Sequence, residues 1–256
     1  MPRSIDFFVR FPRRPSDRKI RRMKSRIAVL ASGGGSNLQA ILEHLERLGE
    51  RRGGDVVLVA SDRADAGALE RAARRAIAHS AHSTSKNTEQ PALGELLADH
   101  DVNLIVLAGY MRLVPADIVA KYEGKIINVH PSLLPAFGGT GMYGQRVHHA
   151  VIEAGVRVTG VTAHFVDDSY DRGRIIAQWP VPVFASDDAG TLAARVLRVE
   201  HLVYPRVVDA VASGHTTLQV AGTVGRDSIV DVRPSFTLLP HEDSRLVENI
   251  ELALGC

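Results

Sequence analysis

Two side chains able to do chemistry together stand two residues apart, Asn128 and His130, in the run Asn128-Val129-His130-Pro131-Ser132-Leu133-Leu134-Pro135. On an extended chain such residues lie on one face, so an amide and an imidazole project side by side. The amide can donate to an oxyanion and the imidazole can move a proton. That pair suits acyl or formyl transfer, in which a carbonyl becomes a negatively charged tetrahedral intermediate. Taken alone, Asn-x-His is more simply explained by a strand-ending asparagine beside a structural histidine. The surroundings decide between the two. Lys125-Ile126-Ile127 reads as a short buried strand leading in, and Pro131 and Pro135 stop regular structure and stiffen the loop leading out.

A second stretch suited to binding lies near the start of the folded pattern. Ile27 to Ala31 is an apolar run of strand type, followed by Ser32-Gly33-Gly34-Gly35-Ser36-Asn37 and then Leu38, Ile41, Leu42 and Leu45 at helical spacing. Strand, glycine loop and amphipathic helix open a doubly wound α/β fold. Glycines let the backbone approach an anion, and Ser36 or Asn37 can cap a helix whose free N–H groups face it. A phosphate at Gly35-Ser36-Asn37 is the natural ligand. A dinucleotide fits poorly. The G-x-G-x-x-G pattern needs glycine where Leu38 stands, and Asp62 comes late for the acidic residue that should end the next strand. The Lys and Ser/Thr of a P-loop are also missing. A tight turn with no ligand is the plain alternative.

The remaining elements follow in order. Strands are expected over 55–60, 77–82 and 103–108, and helices over 64–76 and 88–99. The uninterrupted apolar run 103–108 marks a central parallel strand. It ends in Gly109-Tyr110-Met111-Arg112-Leu113-Val114, and Pro115 is expected at the first position of another helix. Ligands in open α/β sheets bind at strand carboxyl ends, so 32–37, 109–114 and 128–135 should gather along one edge. After a glycine-rich stretch, 136–144, a helix is expected over 146–154. Two strands, 158–166 and 174–184, flank the turn Asp167 to Gly173. A long helix over 188–212 carries Leu192, Val196, Val199, Val203 and Val207 on one side. Short strands and a loose tail are expected beyond Gly214, and no internal repeat occurs.

Composition bounds the function. At 256 residues, 45 % hydrophobic and 23 % charged, the chain has the make-up of a soluble globular protein, long enough for one good α/β core with appendages or for two small domains. No apolar run approaches the ~20 residues of a membrane helix. The single cysteine, Cys256, cannot form an internal disulfide, and a reducing cytoplasm is the simplest home. The net charge of +2 is uneven, because residues 1–22 hold eight Arg and Lys against Asp6 and Asp17, a local +6 that leaves −4 for the rest. An acidic body argues against a general nucleic-acid binder. The basic leader lacks the apolar segment of a secretory signal. It reads as a disordered extension, with a nucleic-acid or membrane-surface arm as the other reading.

With these loops placed, the sequence resembles the phosphoribosylglycinamide formyltransferases, folate-dependent enzymes of purine synthesis. The resemblance runs from about Met23 to Gly214, roughly three quarters of the 256 residues. It rests on Ser32 to Leu38, Ala108-Gly109-Tyr110-Met111-Arg112, Asn128 to Pro135, and His164-Phe165-Val166 leading to Asp171, all in the same order. It implies a doubly wound open sheet, mostly parallel with antiparallel strands towards the C-terminus. A single domain over 23–214 would hold a phosphate-binding half and a folate-binding half, with 215–256 as an extension. The co-substrate would be 10-formyltetrahydrofolate and the acceptor glycinamide ribonucleotide, with no metal. No nucleic-acid or membrane partner is implied, and the enzyme would be a monomer or homodimer in the cytoplasm.

By position, Asn128, His130 and Asp171 match the family's catalytic trio. Gly35, Ser36 and Asn37 match its phosphate cradle, and Lys86 stands where a basic residue helps hold the phosphate. Met111, Arg112, Leu113 and Val114, with Asp167, Asp168 and the rest of the turn to Asp171, match the wall around the folate pteridine. Glu200 matches a residue near the glycinamide amine. In that chemistry Asn128 would donate to the oxyanion, His130 would return a proton to the folate nitrogen, and Asp171 would orient His130 and help carry protons away. The chain departs from the family in its longer glycine-rich loop, Phe137 to Gly144, and in Arg174 where proline is commoner.

Plainer readings stand beside these. His148 and His149 read as surface helix residues, and His164 as a core or supporting histidine rather than a proton carrier. Glu200 could be a solvated helix position, Asp167 and Asp168 ordinary turn formers, and Arg71, Arg74 and Arg75 the wet face of a helix. Zinc spacing such as H-E-x-x-H is missing. Two further function classes remain. One is the same formyl chemistry with methionyl-tRNA or water as acceptor. The tRNA enzyme would be expected to carry a C-terminal barrel for which 215–256 are too few. The formyltetrahydrofolate hydrolase would be expected to add an N-terminal regulatory domain and a second histidine where Pro131 stands. The other class is a nucleotide-binding or NAD-dependent protein, which Leu38 disfavours.

Overall fold

A computed structural model describes residues 24–82 and 92–215. The expectations for 1–22, for Lys86 and for the segment beyond 215 fall outside these residues. Seven strands form one sheet in the order β3-β2-β1-β4-β5-β6-β7. The strands are β1 (Ser25–Leu30), β2 (Gly54–Ser61), β3 (Ala78–Ala81), β4 (Leu104–Leu107), β5 (Ile126–His130), β6 (Val158–Phe165) and β7 (Ile175–Pro182). All pairings from β3 to β5 are parallel, and β6 and β7 join antiparallel. The mixed doubly wound sheet is the one expected from the sequence.

Among the described residues six α-helices cover it: α1 (Ser36–Leu48), α2 (Gly67–Arg74), α3 (Leu93–Asp99), α4 (Ala116–Lys121), α5 (Gln145–Glu153) and α6 (Ala189–Ala212). The alternation along β1 sorts them into two layers. Ile27 and Val29 join a core with Leu38 and Ile41 of α1, Ala68 of α2, Val151 of α5 and Leu192 and Val203 of α6. Ala28 and Leu30 face the other way, onto Leu97 of α3 and Ile118 of α4. Both faces of the central strands are therefore dry, which is why they read as unbroken apolar runs.

Three local expectations are corrected. Neither Ser36 nor Asn37 caps α1; the cap is Gly35, left-handed at φ 74°, and no side chain bonds there. A Cβ on Gly35 would come within 2.8 Å of Ala68 Cα, so both its conformation and its tight seat on α2 require glycine. Pro115 is the N-cap of α4 rather than its first helical residue. Its fixed φ and missing N–H suit either position.

The third correction concerns β5, which does not stop at Ile127. It continues through Asn128 to His130, because β6 pairs alongside after β4 has ended at the Leu107–Asn128 pair. The Tyr204 hydroxyl of α6, fully buried, lies 2.8 Å from the Leu107 carbonyl and 3.1 Å from that of Ile127. It staples the helix to the sheet where β4 and β5 part.

Candidate active site

The parting strands leave a cavity of about 650 Å³ at the carboxyl edge of the parallel strands. β5 sends Asn128 and His130 into it, both on the face that also carries Ile126, as a period of two requires. Asp171 reaches the same cavity from the turn between β6 and β7, in a left-handed backbone conformation at φ 53°. Its carboxylate lies 3.5 Å from His130 Nδ1, accepts the Gly139 N–H at 3.0 Å, and lies 3.7 Å from His164 Nε2. The other ring nitrogen of His130, Nε2, donates to the Phe137 carbonyl at 2.8 Å. Both nitrogens of His130 therefore face acceptors, an arrangement that suits the doubly protonated ring. A separation of 3.5 Å is an ion-pair contact rather than a tight hydrogen bond, and such contacts shorten when a reacting group arrives.

His164, buried on β6, pairs directly across from Asn128. Asn128 Nδ2 is 3.2 Å from His164 Nε2, and His164 Nδ1 donates to the Phe165 carbonyl at 2.8 Å. Burial holds this histidine below its usual pKa, against the Phe165 carbonyl and Asp171, which favour the charged form. The supporting-histidine reading stands. The surface reading of His148 does not. It is buried on α5, lines the cavity, and is pushed down to about 4 by burial and then by His130 and His149. His149 is exposed as expected.

The far wall comes from the helices. Glu200 of α6 is buried, lines the cavity, and accepts from Asn37 Nδ2 at 2.7 Å. Burial raises it to about 7, and the Asn37 bond only partly offsets this. The solvated alternative for Glu200 is thereby excluded. Gly35 and Ser36 do not line the cavity; they sit beside it at the N-terminus of α1, where first-turn N–H groups have no helical partner. Arg71 is no idle surface residue. Its Nε donates to the Gly34 carbonyl at 2.6 Å and its Nη1 reaches Gln39, which sets a guanidinium against the glycine loop. Arg75 pairs with Glu46 on α1, and Arg74 is exposed.

The 109–114 loop forms a third side. Met111, Leu113 and Arg112 are exposed at the rim, while Val114 is buried beneath them. A polar chain missed in the sequence pins this loop. Ser32 Oγ donates to Asp62 at 2.6 Å and accepts the Met111 N–H at 2.9 Å, while Arg112 Nε donates to the other Asp62 oxygen at 3.1 Å. The Tyr110 hydroxyl, raised to about 12 by burial and then by Asp62, meets His82 Nε2 at 3.1 Å. Asp167 and Asp168 line the cavity and also shape their own turn, Asp167 accepting the Ser169 N–H at 2.9 Å. Among the described residues no cluster of His, Cys, Asp or Glu is arranged to hold a metal ion.

The raised Glu200 carboxyl predicts a pH effect. Its folded-state pKa of about 7 exceeds the ordinary 4.5, so its contribution to stability is full below about 4.5 and is lost as pH rises through 7. Glu200→Gln removes that cost. Its unfolding free energy is expected to exceed wild type by up to about 3 kcal/mol at alkaline pH, with the difference closing in acid. Denaturant titrations at both extremes check this; a variant less stable than wild type at alkaline pH would show that the charge is well solvated.

Comparison with known proteins gives a consistent result. A family model described as formyl transferase matches residues 25–208. Over 191 residues the chain is 43 % identical to the chloroplastic phosphoribosylglycinamide formyltransferase of Vigna unguiculata, covering 73 % of this chain and 61 % of that one. It therefore spans less than two thirds of that plant relative. It is 40 % identical to phosphoribosylglycinamide formyltransferase of Bacillus subtilis over 187 residues, covering 72 % of this chain and 92 % of that one. The crystal structure of phosphoribosylglycinamide formyltransferase from Anaplasma phagocytophilum superposes with a TM-score of 0.69 at 36 % identity, covering 80 % of this chain and 95 % of that one.

Proposed function

The chain belongs to the formyl transferase family, and from that premise we propose that it transfers a formyl group from 10-formyltetrahydrofolate to the amine of glycinamide ribonucleotide. The products are formyl-glycinamide ribonucleotide and tetrahydrofolate, in purine synthesis. One observation carries the reading: Asn128, His130, Asp171 and Glu200 line a single cavity beside a glycine loop that could hold a phosphate.

The reaction forms a carbon–nitrogen bond from the substrate amine to the formyl carbon and breaks the bond from that carbon to the folate N10. The Asn128 N–H donates to the formyl oxygen as it becomes an oxyanion. His130 adds positive charge beside it and delivers a proton to N10. In the substrate-free protein the Nε2 proton of His130 is held by the Phe137 carbonyl, so it reaches the substrate only once that bond is exchanged. Asp171 directs the His130 ring, sets a negative charge beside it, and accepts the proton lost by the attacking amine. Glu200 lies where it can hold that amine.

Gly35, Ser36 and Asn37 take the ribonucleotide phosphate on main-chain N–H groups. The guanidinium of Arg71 adds charge beside them, and Lys86 helps hold the phosphate. The pteridine lies against Met111 to Val114 and the Asp167 to Asp171 turn. No metal is assigned a step. The catalytic unit is 23–214, with 1–22 and 215–256 as extensions. Its partners are small molecules, with neither nucleic acid nor membrane among them, and it works as a monomer or homodimer. No helix among the described residues is long and apolar enough to cross a membrane. A cytoplasmic home is proposed from the single cysteine, while the plant relative bears a chloroplast name.

The test is turnover of 10-formyltetrahydrofolate by absorbance, with and without glycinamide ribonucleotide. Turnover that requires the ribonucleotide is expected. Equal loss of formyl groups without it would replace this reading with a hydrolase, and no turnover in either case would defeat the formyl chemistry.

A further inference from the structure

Asn128 can stabilise an oxyanion only if the nitrogen end of its amide faces the formyl oxygen. The two ends of an amide are nearly the same size, so packing alone does not choose between them. We propose that His164 makes the choice. It acts as a positioning residue whose unprotonated Nε2 accepts one Asn128 N–H and so leaves the second N–H turned to the reacting carbonyl.

The inference rests on the formyl-transfer reading for its catalytic consequence, and on hydrogen-bond bookkeeping for its structural core. A backbone carbonyl can only accept. His164 Nδ1, 2.8 Å from the Phe165 carbonyl, must therefore carry a hydrogen. His164 is buried, which favours the neutral ring, and in a neutral ring the hydrogen on Nδ1 leaves Nε2 a bare acceptor. The group 3.2 Å from that acceptor is the Asn128 amide nitrogen. Directly paired positions on β5 and β6 bring the two side chains together, so the contact is built into the sheet register.

The tautomer has a second consequence. His164 Nε2 is 3.7 Å from one oxygen of Asp171, but without a proton it offers that carboxylate nothing. The negative charge of Asp171 is left to His130, 3.5 Å from the other oxygen. A charged His164 would instead divide Asp171 between two cations and turn the Asn128 oxygen towards the site, where it would repel the oxyanion.

Two measurements test this. Ring 15N NMR on the substrate-free protein should find His164 with its hydrogen on Nδ1 and a hydrogen-bonded, unprotonated Nε2. In Asn128→Ala the Nε2 signal should move towards that of a free acceptor. A proton on Nε2 would overturn the proposal whatever the enzyme's activity. Kinetically, His164→Ala should lower kcat by about 10- to 10³-fold with little change in KM, bounded by the loss in Asn128→Ala. The double variant should be no slower than Asn128→Ala alone. His164→Gln, whose side-chain oxygen can stand near Nε2, should recover part of the rate and serves if the alanine variant fails to fold. Losses that multiply in the double variant would reduce His164 to a structural residue. Wild-type enzyme inactive on the ribonucleotide would defeat the proposed function, and the NMR result would still decide the tautomer.

Discussion

His130→Ala is expected to lower kcat for formyl transfer by about 10²–10⁴-fold, the usual worth of a positioned acid–base group. The ring has two jobs in the geometry. One nitrogen faces Asp171 at 3.5 Å, and the other carries the hydrogen now given to the Phe137 carbonyl. Alanine removes both the charge beside the oxyanion and the proton for N10. It also removes the bond to Phe137, a single contact worth on the order of 1–3 kcal/mol, so the fold is expected to survive with a modest drop in melting temperature. Ribonucleotide binding should persist, because the proposed phosphate loop joins β1 to α1 and packs on α2, apart from β5. Single-turnover rates with a parallel thermal melt separate the two effects. Near wild-type turnover in a folded variant would remove His130 from the chemistry.

Much of the layout behind that expectation was legible in the sequence, for physical reasons that differ by element. The strand–glycine–helix unit at 27–45 announced itself through a change of period from unbroken apolar to helical, with glycines at the hinge. The convergence of 109–114 with 128–135 followed from a rule about sheet edges and needed no side-chain detail. The extent of β5 was not legible. Prolines flank the loop at Pro131 and Pro135, yet what carries the strand through Asn128 to His130 is the ladder from β6, a distant stretch of chain that pairs His164 with Asn128. Pro131 still marks where the strand ends, and the distant ladder carries it from Ile127 up to that stop.

The side chains that support the site were the least visible. Glu200 sits one helical turn from Val196 and beside Val199, so its spacing already placed it on the buried side of α6; its charge argued the other way. Arg71 lies one turn beyond Gly67, which packs close to Gly34, so both face the glycine loop; that approach joins two distant stretches of chain and leaves no sign in the sequence. His148 follows Val147 on a short helix, where a shift of one residue separates core from solvent. The Ser32–Asp62–Arg112 chain joins three strand ends, and no spacing along the sequence records that they meet.

Asp171→Asn is the sharper test of how the site handles charge, because it changes little else. Asp171 holds a left-handed backbone at φ 53°, a conformation that asparagine tolerates as readily as aspartate. The amide is nearly the size of the carboxylate, and its oxygen can still accept the Gly139 N–H now made at 3.0 Å. What is lost is the negative charge 3.5 Å from His130 Nδ1 and the acceptor for the amine's proton. If the oxygen of the new amide stays with Gly139, its NH₂ group faces the histidines as a donor, and His130 no longer meets an acceptor there. A loss of about 10²–10⁴-fold in kcat is expected, comparable with removal of the carboxylate behind a catalytic histidine elsewhere. Melting temperature and ribonucleotide binding should stay close to wild type, since neither the sheet nor the phosphate loop is touched. A variant with unchanged kcat would detach Asp171 from the reaction.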